Sequence, residues 1–187
     1  MFKKHIKLGL MTALAFVLAV SGCKKDDDEL PEADENELIT KVSLKFTNTA
    51  DATDVKTVTW SDPDGDGGVS PTIGTLSLKP NASYTFEVSE VLNETTDDEE
   101  ERNVLNEINE ESDEHLWVYK PSGVNLTITR TDKDVNNLEI GLKGSAVTGA
   151  SATGTLTVIL RHQPGEKNGT EAPGSTDFEG TFPVVVQ

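Results

Sequence analysis

The feature that most limits the folds open to this chain is a period-two alternation of apolar residues, which starts at Val42 and recurs almost to the C-terminus. Val42, Leu44 and Phe46 alternate with Lys41, Ser43 and Lys45, the pattern of a strand with one buried and one wet face. The same alternation appears in Val58 and Trp60, in Leu76 and Leu78, and in Tyr84, Phe86 and Val88. It returns in Val124, Leu126 and Ile128; in Leu138, Ile140 and Leu142; in Leu156, Val158 and Leu160; and in Phe178, Phe182, Val184 and Val186. A short apolar run from Leu116 to Tyr119 adds one more segment. Links rich in Gly, Pro, Asn and Asp separate them, including 62–68, 79–81, 120–123, 132–137 and 163–174. Eight or nine short strands so spaced predict an all-β fold, a two-sheet antiparallel sandwich.

One helix is expected to interrupt the strands. Thr96 or Asp97 can cap it, the acids from Asp98 to Glu101 suit its positive end, and Val104, Leu105 and Ile108 form a narrow apolar stripe. So acidic a helix belongs on the surface, closing one end of the sandwich. The segment from Leu76 to Val88, a strand, a Pro80-Asn81 turn and a strand opening on Tyr84, resembles a hairpin of immunoglobulin-like domains. That resemblance implies an immunoglobulin-like sandwich with one short acidic surface helix.

Residues 1–22 read as an address rather than as fold. Lys3, Lys4 and Lys7 precede an apolar stretch from Leu8 to Val20, too short to span a bilayer, which takes about 20 residues. Val20-Ser21-Gly22-Cys23 resembles the lipobox of bacterial lipoproteins, which implies cleavage before Cys23 and acylation, palmitate included, of that residue. Lys24, Lys25, Asp26 and Asp27 follow at once, and the run is similar to the lipoprotein export signal of Bacteroidetes. The resemblance implies a lipid anchor in the outer membrane with the protein facing the cell exterior. Residues 23–36 are then a charged tether, and 37–187 a single domain.

Composition removes several functions. The one cysteine leaves no internal disulfide and no multi-cysteine metal site. A formal net charge of −17 opposes binding to nucleic acid phosphates, so no nucleic acid partner is expected. Both methionines leave with the leader, taking thioether copper ligands with them. No nucleophile elbow, phosphate-cradling Gly loop or zinc-protease His pair is present, so no enzyme activity is expected.

Two constellations could bind cations. Asp62, Asp64 and Asp66 sit at alternate positions before Gly67 and Gly68, a spacing that can aim three carboxylates at Ca²⁺. The bidentate Glu of an EF-hand is missing, because Ile73 stands there, and a plain Gly-rich turn is the competing reading. Asp132, Asp134 and Asn136 echo the spacing but read as a hairpin turn. The second constellation uses the only two histidines beyond the leader, His115 and His162. Glu111 lies four residues before His115, so the two share a face if the helix runs that far, and Glu114 adjoins them. His162 keeps the inward phase of the strand Leu156 to Leu160. Two imidazoles and one or two carboxylates suit Zn²⁺; core histidines bonded to backbone, or a bis-histidine haem site, are the alternatives.

Trp60-Ser61-Asp62-Pro63-Asp64-Gly65-Asp66-Gly67-Gly68, Leu92-Asn93-Glu94-Thr95, Glu114-His115 and Leu160-Arg161-His162-Gln163-Pro164, in that order, resemble the small Bacteroidetes lipoproteins labelled type 1 periplasmic binding fold superfamily. That label denotes a two-domain α/β architecture, whereas the period-two pattern here predicts all-β. The resemblance implies a position beside a TonB-dependent outer-membrane receptor. The function expected is an accessory lipoprotein that binds a ligand, a metal ion or metal chelate, for that transporter. A structural or adhesive surface module without a small-molecule cargo is the alternative. Oligomeric state is not legible.

Overall fold

The inward phase of each alternating segment decides the architecture: two sheets bury their apolar faces against each other. The computed structural model describes residues 37–65 and 67–187. Residues 1–36, with the expected leader, Cys23 and the expected export-signal residues Lys24, Lys25, Asp26 and Asp27, and the loop residue Asp66 lie outside the described residues. The first sheet contains β1 (Lys41–Asn48), β2 (Val55–Ser61), β3 (Thr72–Ile73), β5 (Ser83–Leu92), β7 (Leu126–Arg130) and β8 (Lys143–Thr148). Its spatial order is β3-β2-β1-β5-β8-β7. The second contains β4 (Leu76–Leu78), β6 (His115–Ser122), β9 (Ala152–His162) and β10 (Ser175–Val186), ordered β4-β10-β9-β6. All pairings are antiparallel except β4 with β10.

The chain is an all-β sandwich. The order β1-β5-β8-β7 facing β10-β9-β6 is the A-B-E-D facing G-F-C arrangement of immunoglobulin-like domains, with β2, β3 and β4 added. Trp117 on β6 takes the place of the buried core Trp on strand C, with no solvent exposure. Phe178 meets Trp60 edge to face at 5.1 Å and Trp117 at 6.3 Å, while Phe86 meets Tyr119 at 5.0 Å. Val, Leu and Ile from both sheets fill the rest of the core.

Four details differ from the reading of the sequence. Ten strands form among the described residues. The alternating stretch 138–142 is not a strand: Ile140 accepts from Trp117 N and donates to Asp132, so the segment crosses between the sheets while still burying Ile140 and Leu142. The strand in that region is β8, whose inward residues are Gly144, Ala146 and Thr148. Their small size is forced, because a Cβ on Gly144 would overlap the Phe86 ring and the Thr129 carbonyl. Third, β4 and β5 are not a hairpin. They belong to different sheets, and the turn through Asn81, with φ 51°, carries the chain across.

The fourth is the helix. Asp98 caps it, accepting from Glu100 N and Glu101 N, but it is split into α1 (Glu99–Arg102) and α2 (Val104–Glu110). The carbonyl of Arg102 accepts the N–H of Asn93, which takes it out of the helical ladder. Val104 and Ile108 are buried and hold α2 to the sandwich against β5. No helix among the described residues is long and apolar enough to cross a membrane.

Candidate metal centre

Several chain segments converge at one end of the sandwich. The start of β1, the end of β5, α2, the start of β6, the end of β9 and the start of β10 all reach it. The helix ends at Glu110, so Glu111 and His115 do not share a helical face; His115 is instead the first residue of β6. The β6–β9 register places His115 directly opposite His162. Both side chains point into the interior, and their rings stack at 4.7 Å with an interplanar angle of 4°. Cross-strand pairing thus does what sequence separation conceals: it brings the two imidazoles face to face.

Glu111 joins them. One ligand atom from each of Glu111, His115 and His162 lies within 4.8 Å of the other two. His115 Nδ1 is 3.0 Å from the Glu111 carbonyl oxygen. A carbonyl only accepts, so the proton is on Nδ1 and Nε2 presents a lone pair. His115 Nε2 and His162 Nδ1 are buried with no hydrogen-bond partner among the described residues. Burial pushes the His115 pKa down to about 4; the Glu111 hydrogen bond opposes this, and His162 and Lys167 add to it. The imidazole is therefore neutral at neutral pH, the form that binds metals. A porphyrin would have to separate the stacked rings and enter the interior between them, which disfavours the haem arrangement.

Acidic side chains surround the pair. Glu114 Oε2 lies 3.6 Å from His162 Nε2, and Asp177 Oδ2 lies 3.8 Å from His115 Nε2. Glu37, Glu107 and Glu111 form a second trio of carboxylates within 4.8 Å of one another. Burial, followed by repulsion from Glu107 and Asp177, pushes the Glu37 carboxyl up to about 8. Burial, then Glu107 and Glu114, also raises Glu111.

The loop 163–174 finishes the wall. Arg161 binds the Pro173 and Gly174 carbonyls, Gln163 Nε2 binds those of Thr170 and Pro173, and Lys120 pairs with Glu171. Lys167 Nζ reaches the Ser112 carbonyl and Asp134 Oδ2, each at 2.7 Å. Gly174, with φ 77°, lets β10 begin directly against the His162 carbonyl, where a Cβ would collide.

The Asp-rich loop behaves differently. Asp64 Oδ2 accepts from Val69 N at 3.0 Å, and this bond is the main cause of its lowered pKa. Asp62 lines a cleft with Glu37, Trp60, Thr176 and Asp177. Among the described residues Asp62 and Asp64 join no group of three metal-ligating atoms, and Asp66 lies outside them. Asp134 makes the expected turn, its Oδ1 accepting from Asn136 N and Leu138 N. Glu37, Glu107 and Asp177 were not singled out by the sequence, where they stand among many acids. Comparison with protein-family models, curated proteins and solved structures finds no match for the chain.

Proposed function

We propose that this protein is an outer-membrane lipoprotein whose β-sandwich captures a divalent transition metal ion, Zn²⁺ being the reference case, at Glu111, His115 and His162. The observation that carries the reading is the stacked, buried histidine pair with a ring nitrogen of each unpaired. A buried polar atom without a partner costs roughly 1–3 kcal/mol, and one shared ion would relieve both at once. The Nδ1 bond from His115 to the Glu111 carbonyl supports it further, since metal-binding histidines commonly donate their second nitrogen's proton in this way. The acidic surroundings favour a cationic cargo and raise its local concentration. The lipobox-like Cys23 and the acidic run behind it support a surface anchor, and the motif resemblance supports hand-over to a TonB-dependent receptor. Binding, not bond-making, is the role assigned.

The test is a calorimetric Zn²⁺ titration of the chain expressed without residues 1–22, wild type beside His115→Ala and His162→Ala. Micromolar or tighter one-to-one binding, abolished by both substitutions, is the expected result. Absence of binding, or binding unchanged in either variant, would overturn it and leave a structural or adhesive acidic surface module.

A further inference from the structure

Of the three residues grouped at the stacked rings, Glu111 is exposed while His115 and His162 are buried. Glu111 is therefore the side chain through which the histidine pair meets water. It also lines a second feature, a cleft of about 640 Å³ walled by Glu100, Glu101, Asn106, Glu107, Glu110 and Glu111. Glu100 and Glu101 come from α1, Asn106, Glu107 and Glu110 from α2, and Glu111 caps the end of α2. Five of these six are acids and none is basic.

Exposed carboxylates along a groove are common, and water and salt screen their repulsion. The inner end of this groove sets it apart. One ring nitrogen each of His115 and His162 lies within 4.8 Å of a Glu111 carboxylate oxygen. His115 Nε2 and His162 Nδ1 are buried with no hydrogen-bond partner among the described residues. The groove thus ends on buried imidazoles that a cation would satisfy. Glu107 and Glu111 also stand with Glu37 in the second trio of carboxylates, which shares Glu111 with the histidine group. A carboxylate common to both groups can stay on an ion while its other ligands exchange. The cleft holds a divalent ion with its shell of about six waters, each occupying ~30 Å³. An ion can therefore enter hydrated and shed its water as the imidazoles take over.

We propose that the acidic cleft along α1 and α2 is the route by which a hydrated divalent cation reaches the histidine pair, with Glu111 the ligand common to entry and final binding. The inference rests on the metal-capture reading above and adds to it how the ion arrives. Glu100, Glu101 and Glu110 belong to neither group of ligand atoms, so their part is to concentrate and steer the ion. Steering of this kind raises association rates by about 10- to 1,000-fold and fades as salt rises. Neutralising these acids should slow loading far more than it speeds release.

The experiment is stopped-flow Zn²⁺ loading of the leaderless chain at low ionic strength, with a chromogenic chelator reporting free metal. Wild type is compared with Glu100→Gln/Glu110→Gln in the cleft and with Asp51→Asn/Glu179→Gln. The last pair removes as many exposed charges from the β1–β2 turn and from β10. The association rate is expected to fall ~10-fold in the cleft pair and to change little in the control pair. The gap should close near 1 M salt, where the screening length is about 3 Å. Thermal unfolding in EDTA checks that each variant folds. Glu110→Gln alone, with an expected effect of about threefold, replaces the cleft pair should that not fold. Equal loading rates in the two pairs would overturn the route and spare the histidine site, which His115→Ala and His162→Ala test separately. A cleft pair that loads at the wild-type rate but releases Zn²⁺ faster would also overturn it, since the acids would then hold the ion and not admit it. No binding by wild type would overturn both readings.

Discussion

Lys167→Met should be among the most damaging single substitutions outside the core. The Lys167 side chain is 2% exposed and that of Asp134 0%, at 2.7 Å, and the same ammonium serves the Ser112 carbonyl. Lys167 thereby ties the loop after β9 to the 132–137 turn and to the segment carrying Glu111 and Glu114. Methionine keeps the stem and removes the charge, leaving a buried carboxylate and a carbonyl without their donor. Breaking a buried pair from one side costs about 3–5 kcal/mol. Asp134 keeps two backbone amides on Oδ1, which places the expected loss near the lower end, about 3 kcal/mol. With a urea m-value of roughly 2 kcal/mol/M, the midpoint should fall by about 1.5 M. Urea unfolding in EDTA at pH 7, followed by Trp60 and Trp117 fluorescence, reads it directly. Asp134→Asn keeps the turn's amide acceptor and removes the stranded charge, so the double variant should recover much of the loss. A single-variant cost below about 1 kcal/mol, or a double variant that shows only the sum of the two singles, would refute the reasoning.

Two further outcomes follow from the same geometry. His115 titrates near 4 in the fold against 6.5 unfolded, so the unfolded chain binds its proton more readily between those values. His115 alone should therefore contribute a loss of about 3 kcal/mol as pH falls from 6.5 to 4, read as the difference between wild type and His115→Gln. Glu37, raised to about 8 from 4.5, acts in the opposite sense, its contribution fading as pH rises through that window. Urea midpoints in EDTA across pH 4 to 9 check both limbs, and an acid limb equally steep in His115→Gln would refute the first. Gly144→Ala should destabilise by about 1–3 kcal/mol through overlap with Phe86, lowering the melting temperature by several degrees. The outward Val147→Thr on the same strand should leave it within about a degree or two.

What could be read along the chain was whatever depends on neighbours in sequence. Alternation places Val42, Leu44 and Phe46 or Leu156, Val158 and Leu160 on one face, because successive strand side chains point in opposite directions, and enough such segments require two sheets. The same rule gave His162 its inward phase. It failed where burial rests on small residues, as in β8, whose Gly144, Ala146 and Thr148 carry no hydrophobic signal. It failed also at 138–142, where a crossing segment buries alternate residues without pairing as a strand.

The site belongs to the other category. The four-residue spacing of Glu111 and His115 suggested a shared helical face; the helix stops before either, and a return of the chain delivers them together. His115 and His162 meet because β6 and β9 pair in one register, and a slip of one residue would turn one ring to the outside. Asp177 turns inward only through a bulge, which depends on how β10 settles against β9. Sequence determined which side chains could be buried and which chemistry was on hand, since hydropathy and donor type are local properties. Tertiary structure alone decided which of the many acids stand beside the histidines, because register, bulge and burial are set by contacts between segments far apart in the chain.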